Sequence, residues 1–216
     1  MTEIKYQYYY WGPFLFHATL GLDKCKILLE AGSKVRGQLD TDHSPKLAGH
    51  ITEQYRLDKK IVKSILSPYL GAYCSSFNQW KGDNFLVPDC TLLATWINYM
   101  KAEEFNPPHF HNSDLSFIIF PYVPNEIIKE CKSFKGTDVG PGGVCWTYGE
   151  GDALYITMCS KLPKTGDIFI FPASLKHYVY PFKSKVTRIS VSGNLNLPPN
   201  FKQKQQGVST LEEIRN

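Results

Sequence analysis

Short apolar runs separated by turn residues fill the second half of the chain, and their spacing restricts the fold more than any other feature. The runs at 92–100, 115–123, 143–148, 154–160, 167–171 and 186–195 have strand length and are mostly joined by turn-rich segments. A series of this kind reads as an all-β sandwich or barrel. Aromatic residues make up 14% of the chain, with thirteen Tyr and thirteen Phe, which suits a β-rich core better than a helical bundle. The stretch Gly166–Asn196 is the most informative part, reading as two strands, Ile168–Phe171 and Val186–Leu195, with His177 between them. On the second strand the period of two puts Arg188, Ser190 and Ser192 on one face and Ile189 and Val191 on the other. Burying a guanidinium without an anion costs several kcal/mol. If that face is inward, Arg188 therefore needs an anionic partner, and a bound carboxylate would serve.

The first half reads differently. Tyr8–Leu20 is aromatic and apolar, an edge or packing strand interrupted by Gly12-Pro13. Leu22–Ala31 reads as a helix, with Leu22, Cys25, Leu28 and Leu29 at three- and four-residue intervals and Gly32 as its stop. Residues 37–50 read as loop. A second helical region runs from about Lys59 to Trp80, its apolar face expected to pack on the sheet and Pro68 expected to kink or divide it. Val87-Pro88-Asp89 marks the entry to the β half, and Pro124–Gly140 reads as a short surface helix, Glu126–Phe134, or as a lid. Beyond Leu197 the periodicity is lost, as expected of a polar tail.

At 216 residues and 43% hydrophobic content the chain can bury one sizeable core. A net charge of +4 without a basic run gives no nucleic-acid signal. There is no 18-residue apolar run and no signal-peptide pattern, so neither a membrane partner nor a leader is expected. The six cysteines show no CxxC pair, which excludes common zinc spacings and reads as reduced thiols in a cytoplasmic protein.

The chemistry-bearing constellation is Pro107-Pro108-His109-Phe110-His111-Asn112-Ser113-Asp114, set between two of the strands. His109 and His111 are two apart, so on an extended segment both imidazoles face one side. With His177 they sit at strand ends in the β half, and Asp114 is nearby. Imidazoles with a carboxylate suit a first-row divalent metal and leave positions open for other ligands. Trp96 and Asn98 share one face of the strand leading to this loop and can point to a cavity; on the next strand Ile118 and Phe120 share one face and Phe117 and Ile119 the other, and either pair can wall that cavity or pack in the core. His17, His43 and His50 read as structural or surface residues.

Taken in order, H-x-H, L-S-F-I-I-F, GD-x-x-x-FP-x-x-x-x-H and R-x-S eleven residues after that His resemble the 2-oxoglutarate/Fe(II)-dependent oxygenases widespread in marine phages and bacteria. The resemblance covers about residues 90–196, with a weaker echo in Leu47–Leu57, LAGHITEQYRL. It implies a mainly β fold with N-terminal helices, the double-stranded β-helix or cupin-like jelly-roll. Residues 1–199 would form one domain, with 1–88 as helical support, 89–199 as the core and 200–216 as tail. It also implies Fe(II) as metal, 2-oxoglutarate and dioxygen as co-substrates, and hydroxylation of an unknown primary substrate. His177 would be the distal metal ligand. Arg188 would pair with the far carboxylate of 2-oxoglutarate, Ser190 would add a hydroxyl, and Asn98 and Phe120 would border the keto acid. The wider superfamily has H-x-D or H-x-E where this chain has His109 and His111, so two triads stand open. One is His109, His111 and His177; the other is His111, Asp114 and His177. A cupin-type metal enzyme without keto acid and a non-catalytic jelly-roll binding module are the alternatives of other classes.

Overall fold

The computed structural model describes residues 12–81, 90–149 and 157–198. The Val87-Pro88-Asp89 punctuation, the opening of the 154–160 run, the start of Tyr8–Leu20 and the tail 200–216 lie outside the described residues. Two antiparallel sheets form the body. The larger has the order β1 (Phe16–Thr19), β8 (Asp167–Pro172), β5 (Leu115–Tyr122), β10 (Arg188–Asn196), β3 (Thr91–Met100) and β2 (Gln54–Arg56). The smaller has the order β4 (Asn106–His109), β9 (Lys176–Val179), β6 (Val144–Thr147) and β7 (Met158–Lys161). This is the two-sheet sandwich expected from the run spacing and the jelly-roll implied by the resemblance, with three strands, β2, β4 and β9, that the apolar runs do not announce.

Side-chain alternation along each strand divides the apolar residues between two cores. Ile168 and Ile170 of β8, Phe117 and Ile119 of β5, and Val191 of β10 pack beneath two helices. Those helices are α1 (Leu22–Val35) and α2 (Lys59–Lys81), which contribute Cys25, Leu28, Val62, Ile65, Leu66 and Tyr73. The opposite faces, Phe169 and Phe171 of β8 and Phe120 of β5, meet Val144, Trp146 and Val179 of the smaller sheet. Each fully buried aromatic or branched side chain contributes roughly 1.5–3 kcal/mol of transfer free energy. A one-residue slip of β8 would exchange its two apolar sets and put both cores out of register.

Two helix boundaries differ from expectation. Gly32 does not end α1, which continues to Val35. A Cβ at Gly32 would collide with the Ile97 and Tyr99 side chains, so its glycine permits close approach to the sheet. The helix stops where Arg36 donates its N–H to the Gly32 carbonyl at 3.0 Å and Gly37 takes a φ of +80°. Likewise α2 runs undivided through Pro68. The lost backbone hydrogen bond is outweighed by the stripe of Val62, Ile65, Leu66, Tyr73 and Phe77 buried on either side of it. The 124–140 segment contains a helix, α3 (Asn125–Ser133), held to the inter-sheet core by buried Ile127. Among the described residues no helix is long and apolar enough to cross a membrane.

Candidate active site

His177 lies within β9 and not in a loop between strands, and it stands directly opposite His109 of β4 in the antiparallel register. His111, just past the end of β4, is fixed by its backbone N–H donating to the Ala173 carbonyl at 2.9 Å. The ring centroids lie 4.3 Å apart for His109 and His177, 5.0 Å for His109 and His111, and 5.2 Å for His111 and His177. One donor nitrogen from each of the three falls within 4.8 Å of the others.

Backbone carbonyls set the tautomers. His109 Nδ1 pairs with the Pro107 carbonyl at 2.7 Å and His177 Nδ1 with the Leu175 carbonyl at 2.9 Å. A carbonyl can only accept, so each Nδ1 carries the proton and each Nε2 keeps its lone pair. Burial also disfavours the imidazolium, lowering His109 and pushing His111 down to about 4 and His177 to about 3. Three neutral rings with free lone pairs grouped around one point fit a divalent first-row metal ion. The same shifts predict acid lability in the metal-free protein. Above pH 6.5 these rings are neutral in both folded and unfolded chains and contribute no pH dependence. As pH falls from 6.5 toward 4, the unfolded chain takes up protons that folded His111 and His177 refuse. Stability should then drop by up to about 1.4 kcal/mol per pH unit for each ring. A melting temperature of the metal-free protein that stays flat over that interval would contradict this reading of the site.

Asp114 occupies a different place. Its Oδ2 accepts the Leu197 backbone N–H at 2.8 Å, and its own N–H and carbonyl bond Leu195 and Ala173. Its carboxylate is not part of the group formed by the three histidines.

Beside the histidines, Arg188 is 2% exposed and faces the space between the sheets. One guanidinium nitrogen donates to the Gly142 carbonyl at 2.7 Å and another reaches Met100 Sδ at 2.8 Å, while Nε has no partner among the described residues. No carboxylate is within salt-bridge reach among the described residues, and burial alone pushes the group down to about 10. A buried guanidinium with an idle donor, its centre 5.3 Å from the Phe120 ring, fits an anion of carboxylate type. Ser190 and Asn98 sit alongside, with Asn98 Nδ2 donating to Ser190 Oγ at 3.1 Å. All of these but Phe120 line one cavity of about 540 Å³ of empty space, mouth included, into which Trp96 also projects.

The arrangement thus brings together His109, His111, His177, Arg188, Ser190 and Asn98, with Phe120 behind the guanidinium, and leaves Asp114 aside. Gln54 of β2 was not apparent from the sequence, although it bonds Asn98 at 2.7 Å. The faint family echo in Leu47–Leu57 was the one signal pointing to its neighbourhood.

Comparison with known proteins agrees with this geometry. Residues 94–194 match the family described as "Putative 2OG-Fe(II) oxygenase". No curated protein sequence matches the chain. Among solved structures, the chain is similar to the viral collagen prolyl hydroxylase of Paramecium Bursaria Chlorella virus-1 in its 2OG complex. The TM-score is 0.53 at 12% identity, covering 85% of this chain and 96% of that one. A prolyl-4-hydroxylase from Pseudomonas putida gives 0.53 at 13% identity, covering 85% and 92%. HygX from Streptomyces hygroscopicus, solved with nickel and 2-oxoglutarate bound, gives 0.52 at 10% identity, covering 84% and 82%. These likenesses establish a shared jelly-roll architecture. Residues 94–194, which include His109, His111, His177 and Arg188, are thus similar to the 2OG-Fe(II) oxygenases, enzymes that work with Fe(II) and 2-oxoglutarate.

Proposed function

We propose that His109, His111 and His177 hold Fe(II) through three imidazole nitrogens, and that Arg188 receives the far carboxylate of 2-oxoglutarate, for hydroxylation of a substrate C–H bond. The grouping of three donor nitrogens within 4.8 Å, beside a buried arginine lacking an anion, carries this reading. When bound, the metal and keto acid supply dioxygen activation coupled to oxidative decarboxylation, yielding succinate, carbon dioxide and one oxygen atom for the substrate. The residues do the positioning. Backbone carbonyls of Pro107 and Leu175 aim two rings so that Nε2 faces the metal position. Arg188 offers paired donors that match carboxylate geometry, and Ser190 adds a hydroxyl on the same strand face. Asn98 orients that hydroxyl, while Phe120 covers the guanidinium and keeps water from its far side.

An all-imidazole triad leaves Asp114 as a clamp on the chain after β10, which its bond to Leu197 supports. The building of β1 and β2 into the larger sheet supports reading residues 1–199 as one domain, with 1–88 as support. Six free thiols support a cytoplasmic setting, the host cytoplasm if the chain is viral.

Anaerobic Fe(II) titration with and without 2-oxoglutarate tests the reading. A weak visible charge-transfer band that requires both, and persists in Asp114→Asn, is the expected result. Iron binding without a band would favour a cupin-type enzyme that uses no keto acid. No metal binding at all would favour a binding module, and loss of iron in Asp114→Asn would return Asp114 to the ligand set.

A further inference from the structure

Three neighbouring strands of the larger sheet place Gln54, Asn98 and Ser190 in one transverse row, since Asn98 of β3 is the register partner of Gln54 on one side and of Ser190 on the other. Their side chains form a directional chain. Gln54 Nε2 donates to Asn98 Oδ1 at 2.7 Å, which commits the other end of the Asn98 amide to donate. Asn98 Nδ2 then donates to Ser190 Oγ at 3.1 Å and to Ser192 Oγ at 3.4 Å. An amide NH2 cannot accept a hydrogen bond, so the hydroxyl hydrogen of Ser190 must be given elsewhere. Ser190 lines the cavity two residues from Arg188 on the same strand face.

We infer that Gln54 is a positioning residue for the co-substrate: it fixes the Asn98 amide so that the Ser190 hydroxyl is presented as a donor to the carboxylate held by Arg188. This deepens the proposed function and rests on its assignment of Arg188 and Ser190 to the far carboxylate of 2-oxoglutarate. If the Gln54 carbonyl faced Asn98 instead, the row would reverse. Asn98 would present its oxygen to the two serines and absorb their hydrogens, leaving none for the ligand.

The position is poor core design unless it has such a task. Gln54 is 1% exposed and its Oε1 is buried without a partner among the described residues. An apolar side chain of the same length would leave no orphaned carbonyl. Gln54 also lies outside residues 94–194, so the helical N-terminal part of the chain contributes to the ligand site through it.

The test uses the full chain with Fe(II) under anaerobic conditions, reading the 2-oxoglutarate dissociation constant from the charge-transfer band. Melting temperature is measured without ligands. Gln54→Met should weaken 2-oxoglutarate about tenfold, the scale of one hydrogen bond to a charged group, with Fe(II) affinity unchanged and melting temperature not lowered. In a Ser190→Ala background the same substitution should cost nothing further. Gln54→Asn, whose amide is one methylene too short to reach Asn98, should reproduce the loss and serves if the Met variant fails to fold. Unchanged affinity in both Gln54 variants overturns the inference, as does a tenfold loss that persists in the Ser190→Ala background. If Arg188→Met leaves 2-oxoglutarate binding intact, the carboxylate assignment itself fails, which is a separate outcome from the failure of Gln54 alone.

Discussion

Arg188→Met is expected to separate ligand binding from folding stability. Removing the guanidinium should weaken 2-oxoglutarate by about 30-fold to several thousand-fold, because a buried charge-to-charge pair contributes on the order of 2–5 kcal/mol when one partner is deleted. Iron binding should survive, since the histidines stand on β4, β9 and the turn after β4 while Arg188 stands on β10. The stability of the ligand-free protein should not fall. Desolvating the unpaired guanidinium costs several kcal/mol, whereas the substitution orphans one acceptor, the Gly142 carbonyl, at about 1–3 kcal/mol. The first magnitude wins. Binding of 2-oxoglutarate followed by calorimetry, beside urea unfolding of both proteins without ligand, checks each half. A marked loss of ligand-free stability would mean that Arg188 is a structural residue with a satisfied environment.

His177→Ala should remove the metal-dependent band altogether and weaken Fe(II) by on the order of 100-fold or more. Outer partners of metal ligands alone account for about 10–100-fold, and His177 is proposed as a direct ligand. The same variant deletes the most depressed pKa in the site, at about 3, so its metal-free melting profile should be flatter than that of wild type between pH 6.5 and 4. Removing the ring leaves the Leu175 carbonyl and one side of Phe171 without their partner. The fold should therefore lose roughly 1–3 kcal/mol at neutral pH. If iron affinity is retained while the fold weakens, His177 is packing and the metal proposal must be rebuilt on other residues.

The strands that could be read from the sequence are those buried on both faces or on one, where apolar side chains recur and turn residues bound them. The runs at 115–123 and 167–171 became β5 and β8 because Phe and Ile alternate between two cores. β4 carried no such signal: its sequence is Asn-Pro-Pro-His, and two prolines read as loop. β9 was equally hidden, being four residues long with Lys176 exposed and only His177 and Val179 turned inward. The helix end at Gly32 was misplaced because a glycine used for close packing looks the same in sequence as one used to stop a helix.

The candidate site was legible where spacing determines direction. Arg188 and Ser190, two residues apart on β10, follow from strand periodicity, and His109 and His111 meet as the same spacing suggested although His111 lies just past the end of β4 and is held by the Ala173 carbonyl. The fate of Asp114 does not follow from spacing, since its partner is Leu197, 83 residues along the chain, brought alongside by the antiparallel pairing of β5 with β10. Gln54 was out of reach for the same reason. Its bond to Asn98 spans 44 residues and depends on which strand is laid next to β3, a choice that no local pattern encodes.

The prolines that hid β4 also shape how this protein meets other molecules. Among the described residues β4 is an outer strand of the smaller sheet, joined only to β9, and an outer strand normally offers a row of free N–H groups on which a second chain can pair. Pro107 and Pro108 have no N–H to offer, so half of that row is missing beside His109. Pairing of a further strand along this margin is thereby discouraged, on the side of the sheet that carries His109.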